Sequence, residues 1–344
     1  RVVSMVIGSE SAFVIAEAGV NHNGCIERAK TLIEAAAAAG ADAIKFQTFS
    51  AKKLLTPAAP KADYQLSCTD EAESQFDMIQ SLELSDKAHR LLLHHCGDHN
   101  IEFLSSAFDV ESLDYLYDLG VRTFKVPSGE LTNLPYLRNL GRVASEVLLS
   151  TGMACYEEVE AAVGLLLGSG IEREQLVVLQ CHTEYPTAMA DVNLRAMRAM
   201  GDQLNVQVGY SDHTIGMEVA IAAVALGARV IEKHFTLDRN LPGPDHKASI
   251  ESDELARMIQ SIRNVETALG SDVKQPTKKE LANRAIVRKS IYAACPIKKG
   301  ETLTEKAVCV KRPGDGVSAM LWDQVIGSQA GRDYELNDRI ELET

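Results

Sequence analysis

Short apolar runs rich in β-forming residues recur along this chain, and nearly every one begins apolar and ends polar. The runs are FVIAEAG (13–19), AIKFQTF (43–49), IEFLSSAF (101–108), TFKVPSGE (123–130), EVLLSTG (146–152), QLVVLQCHT (175–183), NVQVGYSDH (205–213) and RVIEKHFT (229–236). Amphipathic segments lie between them. Two examples are 26–39 and 217–226, each followed by a glycine (Gly40, Gly227) suited to a helix C-terminus. Eight such units in about 265 residues predict a (β/α)8 barrel, an α/β fold. An open doubly wound sheet is the competitor, but no G-x-G-x-x-G follows the first run.

The polar ends support the barrel independently. Glu17, Lys45, Gln47, Ser106, Lys125, Ser128, Glu130, Thr183, Ser211, His213, Glu232 and His234 all stand at or just beyond the ends of these runs. Burying so many polar groups on separate strands is costly unless they meet at one wet site. In a barrel every strand's carboxyl end opens on the same mouth, so the pattern places the site as well as the fold.

His213 and His234 end the last two runs, which are neighbours in a barrel, and two imidazoles there are suited to one divalent ion. His89, His94, His95 and His99 read as solvated or packed. Lys45 and Lys125 lie inside apolar strands and leave two readings open: each pairs with a buried carboxylate as a strut, or together with Ser106, Ser128 and the Ser128–Gly129 backbone they cage a phosphate or carboxylate. Glu17, Glu130 and Asp245 are candidates for binding sugar hydroxyls or moving protons.

Composition narrows the partners. The net charge is −13, with no basic tract, which argues against nucleic acid or an anionic lipid surface and leaves any anionic ligand to placed cations. Apolar residues make up 46%, yet no run approaches a membrane span, and the first residues lack a signal-peptide pattern. The expectation is a cytoplasmic protein. Seven scattered cysteines, at 25, 68, 96, 155, 181, 295 and 309, never spaced C-x-x-C, read as reduced thiols. Charge balance changes near 270–285, where Gly270–Lys279 is polar and carries Gly and Pro. The expected organisation is a barrel over 1–270, a linker over 271–283 and a small β-rich domain over 284–344.

The motifs IAEAGVNHNG (15–24), KFQTFSAKKL (45–54), KVPSGE (125–130), LSTGM (149–153), QCHTEYPT (180–187), GYSDHT (209–214), EKHFTLD (232–238), GPDHKAS (243–249) and KRPGDG (311–316) resemble the sialic acid synthase family, with its bacterial N-acetylneuraminate synthase branch as the best match. Residues 284–344 are similar to that family's C-terminal antifreeze-like (SAF) domain. The resemblance implies metal-dependent condensation of phosphoenolpyruvate with N-acetylmannosamine. The same chemistry on a diacetamido hexose, leading to legionaminic or pseudaminic acid, is the alternative. It implies that Lys45, Ser106, Lys125, Ser128 and Thr183 hold phosphoenolpyruvate, with Ser211 beside them. His213 and His234 are then ligands for manganese or magnesium, and Glu17, Gln47, Tyr185 and Asp245 contact the sugar, with Glu130 between the substrates. It further implies a homodimer in which Arg312 of a swapped C-terminal domain completes the partner's site.

Two positions depart from the family's commoner form: Ser106-Ala107-Phe108 stands where Thr-Pro-Phe is common, and Thr183 where an Asn can occur. A barrel metal hydrolase is disfavoured because no H-x-H follows the first run and the two strand lysines would be unexplained. An ice- or carbohydrate-binding role is disfavoured by the intact set of motifs in the barrel.

Overall fold

A computed structural model describes residues 11–66, 69 and 73–342; Cys68 lies outside them. Eight parallel strands close into a barrel in chain order: β1 (Phe13–Gly19), β2 (Ala43–Thr48), β3 (Glu102–Ala107), β4 (Thr123–Val126), β5 (Glu146–Ser150), β6 (Leu176–Cys181), β7 (Gln207–Asp212) and β8 (Val230–His234), with β8 pairing back on β1. Several strands are shorter than the runs suggested. β4 stops at Val126 because Pro127 has no amide hydrogen to continue a ladder, and Ser128–Glu130 form a 3-10 turn instead. β6 and β7 stop at Cys181 and Asp212, which leaves Thr183 and His213 just past their strands.

Strand alternation sorts the side chains into two cores. Phe13, Ile15, Ala43, Leu104, Leu148, Val177, Leu179 and Val230 fill the barrel interior, while Val14, Ile44, Phe46, Phe124, Val178 and Ile231 face outward against the helices. The helix Ile26–Ala38 buries Ala29, Leu32, Ile33 and Ala36, the i, i+3, i+4, i+7 stripe of a helix lying on a sheet. Inward positions that are apolar low in the barrel become polar at its carboxyl end: Ile15 gives way to Glu17, Ala43 to Lys45, Leu104 to Ser106 and Val230 to Glu232. The long connection from β2 to β3 carries three short helices, Ala51–Leu54, Asp63–Leu66 and Gln75–Ser81, before the helix Asp86–Asp98.

The chain divides into two compact units, Arg1–Gly270 and Ser271–Thr344. The expected linker 271–283 is irregular only as far as Thr277. A helix Lys278–Val287 begins there because Thr277 and Glu280 form a reciprocal capping box. The rest of the second unit is less strand-rich than expected, with one antiparallel pair, β9 (Ser290–Ala293) and β10 (Val308–Lys311), and isolated bridges around Ile291, Ala293, Leu303, Val308 and Tyr334. Among the described residues no helix is long and apolar enough to cross a membrane.

Candidate active site

At the carboxyl end of the barrel the structure brings twelve of the fourteen expected site residues to one cavity of about 280 Å³: Glu17, Lys45, Gln47, Ser106, Lys125, Ser128, Thr183, Tyr185, Ser211, His213, His234 and Asp245. Its floor is an ion-pair network. Glu232 Oε1 lies 2.8 Å from Lys125 Nζ and accepts from Ser211 Oγ at 2.9 Å, while its Oε2 lies 3.6 Å from Lys45 Nζ. Lys45 Nζ is also 2.8 Å from Glu17 Oε2 and donates to Ser106 Oγ at 2.9 Å. Both lysines therefore have buried carboxylate partners, as the strut reading expects, and both also line the cavity.

The charges are not balanced pair by pair. Burial works to raise the Glu232 carboxyl, but Lys125 and Lys45 outweigh it and hold the group well below the usual carboxylate range. Glu17 goes the other way: burial raises it and Lys45 only partly offsets the rise, with Glu232 adding to it. Burial would lower Lys125, but Glu232 and Glu17 outweigh it and strengthen its hold on its proton. Two lysines thus face one firmly ionised carboxylate and a second shifted toward neutrality. The floor is therefore less negative than the chain's net charge of −13 would suggest.

The imidazoles stand beside this floor with ring centroids 5.3 Å apart. His213 Nδ1 bonds the His182 carbonyl; a carbonyl can only accept, so Nδ1 carries the hydrogen and Nε2 keeps its lone pair. His234 Nδ1 is buried with no hydrogen-bond partner and lies 4.0 Å from Asp245 Oδ2. Burial lowers His213 to about 4 and holds His234 well below the ordinary imidazole range, which favours the neutral form of both rings. Two neutral imidazoles, one with an orphaned buried nitrogen, beside a carboxylate fit a divalent cation. Tyr185 packs on His213 at 4.1 Å between ring centroids and meets His234 edge-on at 5.5 Å.

Two glycines let the walls close. A Cβ on Gly19, whose φ is +50°, would lie 3.3 Å from Glu17 Oε1, 3.4 Å from Gln47 Nε2 and 3.5 Å from Asp245 Oδ2, so these three polar groups converge over bare backbone. A Cβ on Gly152 would stand 2.6 Å from Thr183 Cγ2 and 2.8 Å from Ser128 Oγ, and its amide donates to that hydroxyl at 3.0 Å. Burial raises Asp245 to about 7, with Glu17 adding to the shift.

One residue expected in this cavity, Glu130, is not brought to it. Glu130 follows Ser128 by two positions in a 3-10 turn, which points the two side chains apart. Its Oε2 accepts from Asn133 Nδ2 at 2.6 Å, and it is absent from the cavity wall. Arg312 is exposed in the second unit, one residue past β10. Sequence reasoning in turn gave no role to Glu232, the hub of the floor, or to Ser150, whose buried Oγ lines the cavity without a partner. The signal was present, since Ser150 ends β5, Glu232 lies two residues before the end of β8, and both fall on inward positions. Met153, at φ +68° and 73% exposed, stands at the rim. Elsewhere, Glu34, His95 and His99 cluster on the outer helices, with His95 Nε2 3.0 Å from Glu34 Oε1.

The geometry has counterparts among known proteins. Residues 32–274 match the model of the NeuB family. The chain belongs to that family of sialic acid synthases. It is 49% identical to the N,N'-diacetyllegionaminic acid synthase of Campylobacter jejuni, over 96% of this chain and 99% of that one. It is 44% identical to the protein of the same name from Legionella pneumophila, over 93% and 91%. The crystal structure of an N-acetylneuraminic acid synthetase from Leptospira borgpetersenii superposes with a TM-score of 0.73 at 31% identity, covering 82% of this chain and 94% of that one. This NeuB-family chain is thus an enzyme of the sialic acid synthase type, and the family match ends at residue 274, four residues into the second unit.

Proposed function

We propose that this enzyme condenses phosphoenolpyruvate with a diacetamido hexose and water to give a legionaminic-type acid and inorganic phosphate. The observation that carries the reading is the joining of Lys45 and Lys125 with His213 and His234 in one cavity, an anion cage beside a metal-type donor pair. The sequence alone put N-acetylmannosamine first and the diacetamido sugar second. The two relatives at 49% and 44% identity support the reverse order, against 31% for the N-acetylneuraminic acid synthetase.

Lys45, Lys125, Ser106, Ser128 and Ser150 hold the phosphate and carboxylate of phosphoenolpyruvate, as charge-assisted contacts in a dry floor do. A divalent ion held by His213 and His234, manganese or magnesium, would supply Lewis-acid polarisation of the acceptor's aldehyde oxygen. The enolpyruvate methylene carbon bonds to the aldehyde carbon, whose oxygen takes a proton from solvent, and Asp245 stands beside His234 on the acceptor side. Water then adds to the carbon bearing phosphate. Glu17, raised by burial and next to Lys45, takes the water's proton, and phosphate leaves against the two lysines. Gln47, Tyr185 and, as a hydroxyl in place of an amide, Thr183 line the acceptor side. The second unit serves as the SAF domain of a homodimer, presenting Arg312 to the partner's site.

Mass analysis of the product tests this reading. It predicts a nine-carbon acid carrying two acetyl groups, formed with one phosphate per turnover; efficient product formation from N-acetylmannosamine alone would overturn the acceptor assignment.

A further inference from the structure

The cavity wall is chemically lopsided. Above β4 to β8 it is mostly polar, with Ser128, Thr183, Tyr185, His213, His234 and Asp245, although Pro127, Met153 and Pro244 line it too. Above the polar ends of β1 to β3, and beside Gln65, it carries its largest apolar group: Val20 follows β1, Phe49 follows β2, Phe108 follows β3, and Leu54 and Ile79 come from the short helices Ala51–Leu54 and Gln75–Ser81. Val20, Phe49 and Leu82 form a small buried cluster separate from both barrel cores, with Leu54, Ile79 and Phe108 packed against it, and Phe49 meets Phe108 edge to face at 6.0 Å between centroids. Leu54, Ile79 and Phe108 are only half-buried and line the cavity.

We propose that this apolar side selects the acceptor by receiving the methyl of its second acetamido group. The inference rests on the proposed condensation and adds to it the residues that choose the sugar. The acceptor's aldehyde end belongs at the imidazoles, and because a free aldehyde exists only in the open-chain sugar, the rest of its carbon chain can reach past Gln47 to Leu54, Ile79 and Phe108 on the facing wall. A hydroxyl set against Leu54, Ile79 and Phe108 would exchange its water for carbon and find no partner, whereas a methyl there buries apolar surface on both sides. Gln47 and Gln65 line the same cavity and offer amides to the acetamido's own polar atoms. Discrimination of this kind in an apolar pocket is typically about 10-fold to 200-fold.

The test compares kcat/KM for a diacetamido hexose and for N-acetylmannosamine in the wild type, Leu54→Gln and Ile79→Thr, with KM for phosphoenolpyruvate and thermal midpoint as controls. The expected result is that either variant lowers the diacetamido-to-mannosamine ratio by about 10-fold while KM for phosphoenolpyruvate stays at the wild-type value. Should Leu54→Gln fail to fold, the milder Ile79→Thr carries the same comparison. A wild type that turns over the diacetamido sugar, with folded variants that keep its full preference, would overturn the apolar side as selector. Phosphate release with neither acceptor would instead overturn the condensation reading beneath it.

Discussion

Glu232 Oε1 and Lys125 Nζ meet at 2.8 Å across the barrel mouth, and the other oxygen of the same carboxylate lies 3.6 Å from Lys45. One carboxylate therefore sets where both cationic side chains stand. This predicts a split in the kinetics of Glu232→Gln. Removing a negative charge beside the anion site leaves KM for phosphoenolpyruvate equal or lower, while loss of lysine alignment cuts kcat about 10-fold or more. A variant that melts earlier but keeps wild-type kcat would make Glu232 a strut only.

Much of this site was legible because strand alternation has a period of two. Glu17, Lys45, Ser106 and Lys125 fall on inward positions that follow directly from the apolar pattern around them. What alternation does not encode is pairing across the mouth, so the choice between cage and strut for the lysines could not be made, and Glu232 went without a role. Glu130 stands off the cavity wall because Pro127 ends the strand and the periodicity with it. The helix Lys278–Val287 was masked by the Gly and Pro around it, although Thr277 and Glu280 carry a capping signature. The apolar side of the mouth comes from irregular chain between β2 and β3, where no period exists to be read.

The imidazole pair leads to a binding prediction. His213→Ala or His234→Ala removes one of two donors at the end of the barrel, outside the packed cores, so each variant should fold normally and lose measurable Mn2+ binding in calorimetry together with turnover. Unchanged metal affinity in either variant, or wild-type activity indifferent to a chelator, would contradict the metal site.

At the opposite end of the barrel, burial raises the Glu102 carboxyl to about 7, with Glu146 and Asp42 adding to the shift. A carboxyl that titrates higher folded than unfolded binds more protons in the native state between its ordinary value of 4.5 and about 7, so stability falls as pH rises through that window. Glu102→Gln should therefore raise the thermal midpoint at pH 8 and leave it nearly unchanged at pH 4. An equal shift at both pH values would show that the effect is not titration.

Arg312 offers a test of the proposed dimer. A mixture of Arg312→Ala chains with His213→Ala chains should regain partial activity if each second unit serves the partner's barrel, because one of the two sites in a mixed dimer then carries neither lesion. A mixture shown to exchange subunits that stays inactive would place the arginine's action within its own chain or outside catalysis.

The most direct test of the cage itself is phosphate release from phosphoenolpyruvate, followed with and without a diacetamido hexose, in the wild type, Lys125→Met and the double variant Lys125→Met with Glu232→Gln, which removes the buried pair without leaving a lone charge. The account predicts release only when both substrates are present, slowed about 100-fold or more in both variants, since losing a charge-assisted substrate contact in a dry site typically costs several kcal/mol. Acceptor-dependent release at the wild-type rate in a folded Lys125→Met chain would contradict it.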